Sequence, residues 1–240
     1  MGETAILPRA DFAFHRPPRP ILFIGYHKTA TRALCLMLMA SGVRAVYGSG
    51  NGPILARSEE ERAEIPHVAG HIQSNLDRGV APLSGLESYD AFLGLRAGAT
   101  DLCHQFRTFY DAYPDALFIL NTKPEDEWLS PGGALLRTIR ASATAANKRP
   151  RRAVQRWRRQ FRTHHENARA FFAETAPDQF LEWDIQTDPN VLTAFLDRFG
   201  IDVNPDYYFQ LRETGPEVLP DELTSRPCLY YARILPTGHR

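Results

Sequence analysis

The stretch that most constrains this chain runs from Ile21 to Val43 and reads I-L-F-I-G-Y-H-K-T-A-T-R-A-L-C-L-M-L-M-A-S-G-V. Residues Ile21 to Ile24 form a short apolar block, β-branched and aromatic, of the kind that fills a buried parallel strand, and Gly25 ends it. From about Thr29 the apolar residues change to helical spacing, with Leu34, Met37, Leu38 and Ser41 able to share a face and Gly42 marking the stop. A strand that turns straight into a helix aims unpaired backbone N–H groups, and the positive end of the helix dipole, at one point beyond the sheet edge. That point suits an anion. Lys28 adds a mobile positive charge there, while the hydroxyls of Thr29 and Thr31 and the small Ala30 let a phosphate or sulfate approach the amides. The plainer alternative is that Thr29 caps a core helix and Lys28 is solvated.

Composition narrows the class. The 240 residues suffice for one sizeable α/β domain, and 43% hydrophobic with 23% charged residues is ordinary for a globular chain. Formal net charge is zero, so no global field recruits nucleic acid or an anionic membrane. Cys35, Cys103 and Cys228 lie far apart without paired metal or redox spacing, which fits a reducing compartment. Residues 1–20 lack the apolar core of a signal peptide, and the longest apolar run, Ala33 to Ala40, is too short to span a bilayer. The expectation is a cytoplasmic protein with an N-terminal arm over 1–20, a domain over 21–202 and an irregular tail over 203–240.

Further along, Val43 to Tyr47 reads as a second strand, and a helix is expected from Pro66 through Leu76. His67 and His71 would stand one turn apart on it, as a candidate general base or as a simply packed pair; a metal would lack a third ligand there. Thr100 to Tyr113 reads as a helix with Leu102, Phe106, Phe109 and Tyr110 in a core stripe, on which Cys103 and His104 are packing or surface residues. Ala116 to Leu120 is another apolar strand leading into a second strand-to-helix corner, Asn121 to Ser130. Basic residues dominate Arg137 to Arg169, but Val154, Trp157, Phe161, His164 and Ala168 mark one long amphipathic helix rather than a nucleic-acid surface. Phe180 to Ile185 is a last strand, and a helix follows through Phe199. In the Pro-rich tail Tyr207, Tyr208, Tyr230 and Tyr231 are candidates to line a cleft or to pack.

The loop G-Y-H-K-T-A-T-R-A-L resembles the 5′-phosphosulfate loop of the sulfotransferases, commonly K-T-G-T-T/S-x-L after a hydrophobic strand. In that resemblance Lys28, Thr29, Thr31 and Leu34 keep their places, Ala30 replaces the Gly, and Arg32 replaces a small hydroxyl residue. His27 occupies the place where a Walker A loop needs Gly, which disfavours ATP or GTP chemistry. Tyr89-Asp90-Ala91-Phe92 resembles the Y-D-A-F segment of bacterial sulfotransferase-like proteins, in which a following acid aligns with Gly94 here. Lys123 falls on the Arg of the family's V-R-D-P segment and Trp128 keeps the family spacing, while Ser130 stands one residue early for the Ser that holds the 3′-phosphate. Trp157, His164-His165 and Phe171-Phe172 match a W…H-H…F-F helix of the same proteins.

The resemblance covers about Ile21 to Phe199. It implies a three-layer α/β/α domain with a mostly parallel central sheet, a P-loop-like sulfotransferase fold. It also implies sulfuryl transfer from 3′-phosphoadenosine-5′-phosphosulfate to a hydroxyl or amine of a small-molecule, glycan or other acceptor, with no metal, nucleic acid or membrane partner. Donor-site candidates are His27, Lys28, Thr29, Ala30, Thr31, Arg32, Lys123 and Ser130; catalytic candidates are Lys28, His71 and His67. The rival readings are a degenerate anion-binding module and, behind it, an ATP-dependent phosphotransferase.

Overall fold

Five parallel strands in the order β2-β3-β1-β6-β7 carry the molecule. They are β1 (Ile21–Phe23), β2 (Ala45–Tyr47), β3 (Ala91–Leu93), β6 (Leu117–Thr122) and β7 (Phe180–Asp184). A two-residue pair, β4 (Arg96–Ala97) and β5 (Thr100–Asp101), forms a small antiparallel appendage. This computed structural model describes residues 19–26, 28–48, 68–97, 100–130, 133–146, 149–206 and 208. His27, His67, Tyr207, Cys228, Tyr230 and Tyr231 lie outside the described residues.

The period-2 alternation of buried strands sorts side chains onto two faces. Ile21, Phe23, Leu93, Leu117, Ile119 and Trp183 face α1 (Thr31–Ala40) and α7 (Asn190–Asp197), which supply Leu34, Leu38, Leu192 and Leu196 to one core layer. Leu22, Ile24, Phe92, Phe118 and Leu120 face the other layer. There α2 (Val68–Asp77), α3 (Phe106–Ala112) and α6 (Pro150–Thr175) bring Ile72, Phe106, Phe109, Phe161 and Phe172. The short α4 (Glu125–Trp128) and α5 (Ala134–Ala145) complete that layer with Trp128, Leu135 and Ile139. The result is the expected three-layer α/β/α architecture.

Three features depart from the sequence reading. Ala91–Leu93 is a strand in the middle of the sheet, paired to β1 on one side and β2 on the other. Its entry is fixed by Arg44, which donates from Nε to Asp90 Oδ2 (2.7 Å) and from its terminal nitrogen to Oδ1 (2.6 Å). The segment expected as one helix from Thr100 is β5, a turn of 3₁₀ helix over Leu102–Gln105, and α3. The stripe from Val154 to Ala168 does lie on one long helix, α6, but the basic stretch as a whole also takes in α5, because Pro150 lacks the N–H a helix interior needs and instead opens α6 at its first position. In the tail, Tyr208 is fully buried against Trp183 and donates to the Ile185 carbonyl (2.9 Å), so it packs instead of lining a cleft.

Candidate active site

The first strand-to-helix corner leaves the C-terminal end of β1 at Gly25 and enters α1 at Thr31. Lys28 (φ 68°) and Ala30 (φ 57°) both adopt left-handed backbone. Such conformations are disfavoured for L-residues by about 1–2 kcal/mol each and persist where surrounding contacts over-determine them. Those contacts come chiefly from Asn121, at the end of β6 and wholly buried. Its Nδ2 donates to the Thr29 carbonyl and to Thr29 Oγ1 (2.8 Å each), and its Oδ1 accepts from the Gly25 N–H (3.1 Å). Thr29 Oγ1 in turn donates to the Tyr26 carbonyl. A Cβ at Gly25 would stand 2.0 Å from the Asn121 carbonyl oxygen, so only glycine fits this approach.

This geometry revises one expectation. The Thr29 side chain is buried and spent on holding the loop, so Thr29 offers the anion its amide and not its hydroxyl. No side chain caps α1 and no acid lies in its first turn, so its leading amides keep their donor capacity toward an anion. Ala30 is half-buried as the N-cap, Thr31 is buried in the first turn, and Lys28 and Arg32 are exposed at the mouth. The arrangement is a rigid cradle of amide donors with two mobile cations over it.

The second corner follows β6. Lys123 lines a cavity of about 530 Å³ at the ends of β6 and β7, with Thr122, Glu125, Arg162, His165 and Asp184 among its walls. The basic side of α6 is neutralised here: Arg162 bonds Glu125, and Arg169 forms a two-bond pair with Glu182 (2.5 Å each). Ser130 is not among the residues lining this cavity. It closes a turn after α4, its carbonyl accepting from Gly133 N–H (2.8 Å), and a Cβ at Gly133 would meet Ser130 Oγ at 2.6 Å. Among the described residues, Ser130 is thus in the turn after α4 and Lys123 in the wall of the cavity.

The expected base His71 is also placed elsewhere. Its Nε2–H donates to the Ser84 carbonyl (2.7 Å). Ser84 shares a second cavity with Arg19, Pro20 and Tyr113, residues that flank the beginnings of β1 and β6, the sheet edge opposite Lys28. The family acid position is closed as well. Gly94 has φ 56°, and a Cβ there would lie 2.3 Å from the Tyr47 ring.

What stands beside the cradle is a cluster that the sequence reading passed over as packing. Tyr26, two residues before Lys28, is buried, and its hydroxyl is 3.0 Å from Nε2 of the exposed His104. His164 of α6 stands edge-on to His104 with ring centroids 4.8 Å apart, and its Nε2–H donates to the Ile24 carbonyl (2.7 Å). Burial pulls the His164 imidazole down to about 4, partly offset by that carbonyl, so it is neutral at pH 7. Burial likewise pushes the Tyr26 phenol and the neighbouring Cys103 thiol up, the nearby Asp101 carboxylate adding to both. An imidazole at the solvent edge, beside the amide-lined loop, is placed to accept a proton.

A parallel sheet of this order, with an amide-lined loop between its central strand and a helix, defines a P-loop-like α/β fold. A family model described as "Sulfotransferase domain" matches residues 20–144, just over half of the chain, and the protein belongs to that family. Among proteins with curated descriptions none matches the sequence. Among the described residues no helix is long and apolar enough to cross a membrane.

Proposed function

We propose that this chain transfers a sulfuryl group from 3′-phosphoadenosine-5′-phosphosulfate to a hydroxyl or amine of a small acceptor. The observation that carries this reading is the Gly25–Thr31 cradle, latched by Asn121 and topped by Lys28. The amides of Thr29 to Arg32 and the Lys28 ammonium hold the 5′-phosphosulfate and neutralise charge on the oxygen that bridges phosphorus and sulfur as it leaves. Lys123 takes the 3′-phosphate as a point charge, without the two-pronged geometry of arginine. The acceptor oxygen or nitrogen attacks sulfur in line. The bond from sulfur to the bridging oxygen breaks, and the acceptor proton passes to His104, whose ring Tyr26 orients. Proton transfer and sulfuryl transfer need nothing beyond these side chains and the two substrates.

Binding is tested by thermal shift with 3′-phosphoadenosine-5′-phosphate, using adenosine 5′-phosphate and ATP with magnesium for comparison. Selective stabilisation by the bisphosphate, lost in Lys28→Ala, is the expected result. Greater stabilisation by ATP with magnesium would favour phosphotransfer instead, and no shift at millimolar ligand would leave an anion-binding module without turnover. The role of His104 is tested with the same purified enzyme once an acceptor is found: His104→Gln should lower kcat with the bisphosphate shift intact, whereas His71→Gln should leave kcat unchanged.

A further inference from the structure

Cys103, His104 and His164 come from two distant parts of the chain, yet Sγ of the cysteine and one ring nitrogen of each histidine all lie within 4.8 Å of one another. Three features make this more than a crowded corner. His164 is buried, and with its Nε2–H committed to the Ile24 carbonyl its Nδ1 has no partner. A backbone carbonyl that takes one ring N–H fixes the tautomer and leaves a lone pair on the other nitrogen, which is how metal-binding histidines are commonly held. Cys103 is buried, and the Asp101 carboxylate beside it accepts from the Cys103 amide and the thiol. His104 is exposed, which leaves an entry path and an open position for water.

We infer that Cys103, His104 and His164 form a binding site for a borderline-soft divalent cation of the zinc class. One thiolate sulfur and two imidazole nitrogens are the donor set that selects zinc over magnesium or calcium. Zinc bonds of about 2.3 Å to sulfur and about 2.0–2.1 Å to nitrogen place tetrahedral ligand atoms roughly 3.5 Å apart, so the cluster closes by about 1 Å. Rotation of the exposed His104 side chain supplies that movement. On binding, the thiol proton leaves to solvent past Asp101, each imidazole gives the lone pair of one ring nitrogen, and water takes the fourth position. The ion draws the lone pair of His104 into coordination and ties the 3₁₀ turn before α3 to α6. The sulfotransferase would then be held inactive by the metal, a consequence that rests on His104 acting as the base; binding itself does not.

The test uses full-length, tag-free protein stripped with chelator and titrated with Co²⁺ alone, then with Zn²⁺ in competition. Expected are one Co²⁺ per chain, a thiolate-to-cobalt charge-transfer band, and displacement of that band by Zn²⁺. Cys103→Ser should abolish the band, and His104→Gln should weaken affinity at least about tenfold, the scale on which even outer partners of a metal site act. Cys228→Ser should keep the band. Absence of a band in the unsubstituted protein, or its persistence in Cys103→Ser, overturns the site. Should Cys103→Ser not fold, an unweakened band in the surface variant His104→Gln overturns it equally. The bisphosphate shift of the metal-free protein reads the donor site separately, so either reading can fail while the other stands.

Discussion

The two strand-to-helix corners of this sheet start from similar sequence and end as different objects. At the first, Gly25 to Thr31, one buried asparagine makes three hydrogen bonds to a loop whose Lys28 and Ala30 sit in left-handed backbone, and a ten-residue helix follows. His164 grips the same segment from α6 through the Ile24 carbonyl. At the second, Lys123 is followed by a four-residue helix whose first turn is Glu125, Asp126 and Glu127. Those acids suit the dipole of α4, and Glu125 also binds Arg158 and Arg162 of α6 beside the cavity that Lys123 lines. The comparison teaches that position at a sheet edge is not enough. The first corner is held before any ligand arrives; the second supplies charge without a rigid frame.

The sharpest way to break this contrast is Lys28→Ala. It should lower kcat/KM by about 10²–10³-fold, the loss expected when one preorganised donor to developing charge is removed. A loss no larger than that of Lys123→Ala would make the two corners equivalents.

Acid should act on the first corner through His164. Its imidazole binds a proton less readily folded (about 4) than its ordinary value of 6.5, so the unfolded chain takes up more protons between those values. The contribution is full above pH 6.5 and is lost as pH falls toward 4, by up to about 3 kcal/mol in all. Denaturation of metal-free protein across that range, compared with His164→Gln, isolates the effect; parallel pH curves for the two would refute it.

Asn121→Ala strands the Gly25 N–H and frees the Thr29 loop, and should destabilise by about 2–3 kcal/mol in urea denaturation while weakening the bisphosphate shift. Lys123→Ala should weaken the bisphosphate about tenfold, on the scale of one hydrogen bond to a charged group, with Lys123→Arg restoring or exceeding the original affinity. The smallest effect is a gain: Ala30→Gly relieves a left-handed alanine and should add about 1 kcal/mol of stability with donor binding unchanged. A loss there would mean that the strain at Ala30 is not what the backbone suggests.

How much of this was legible beforehand varied with sequence distance. The first corner could be read from Ile21 to Val43 alone, because strand, turn and helix are adjacent and the change from strand to helical periodicity marks the joint. The strand Ala91–Leu93 could not, since three residues before a glycine carry no periodic signal and are strand only through β1 and β2 on either side. The start of α6 had a signal in Pro150, and the stripe from Val154 onward lies wholly after it. Asn121 was visible as the end of an apolar strand, but nothing in its surroundings pointed to a loop 92 residues away.

The sequence by itself determined the α/β class and the strand–loop–helix corner with its lysine, because each depends on neighbours within a dozen residues and on the periods of helix and strand. Only the tertiary structure decided what surrounds that loop. It turned His71 toward Ser84 at the far edge, closed Gly94 with the Tyr47 ring, and brought His104 and His164 together from opposite sides of β6 in sequence. Each of those juxtapositions joins segments packed from different parts of the chain, and packing of distant segments leaves no local pattern in the sequence.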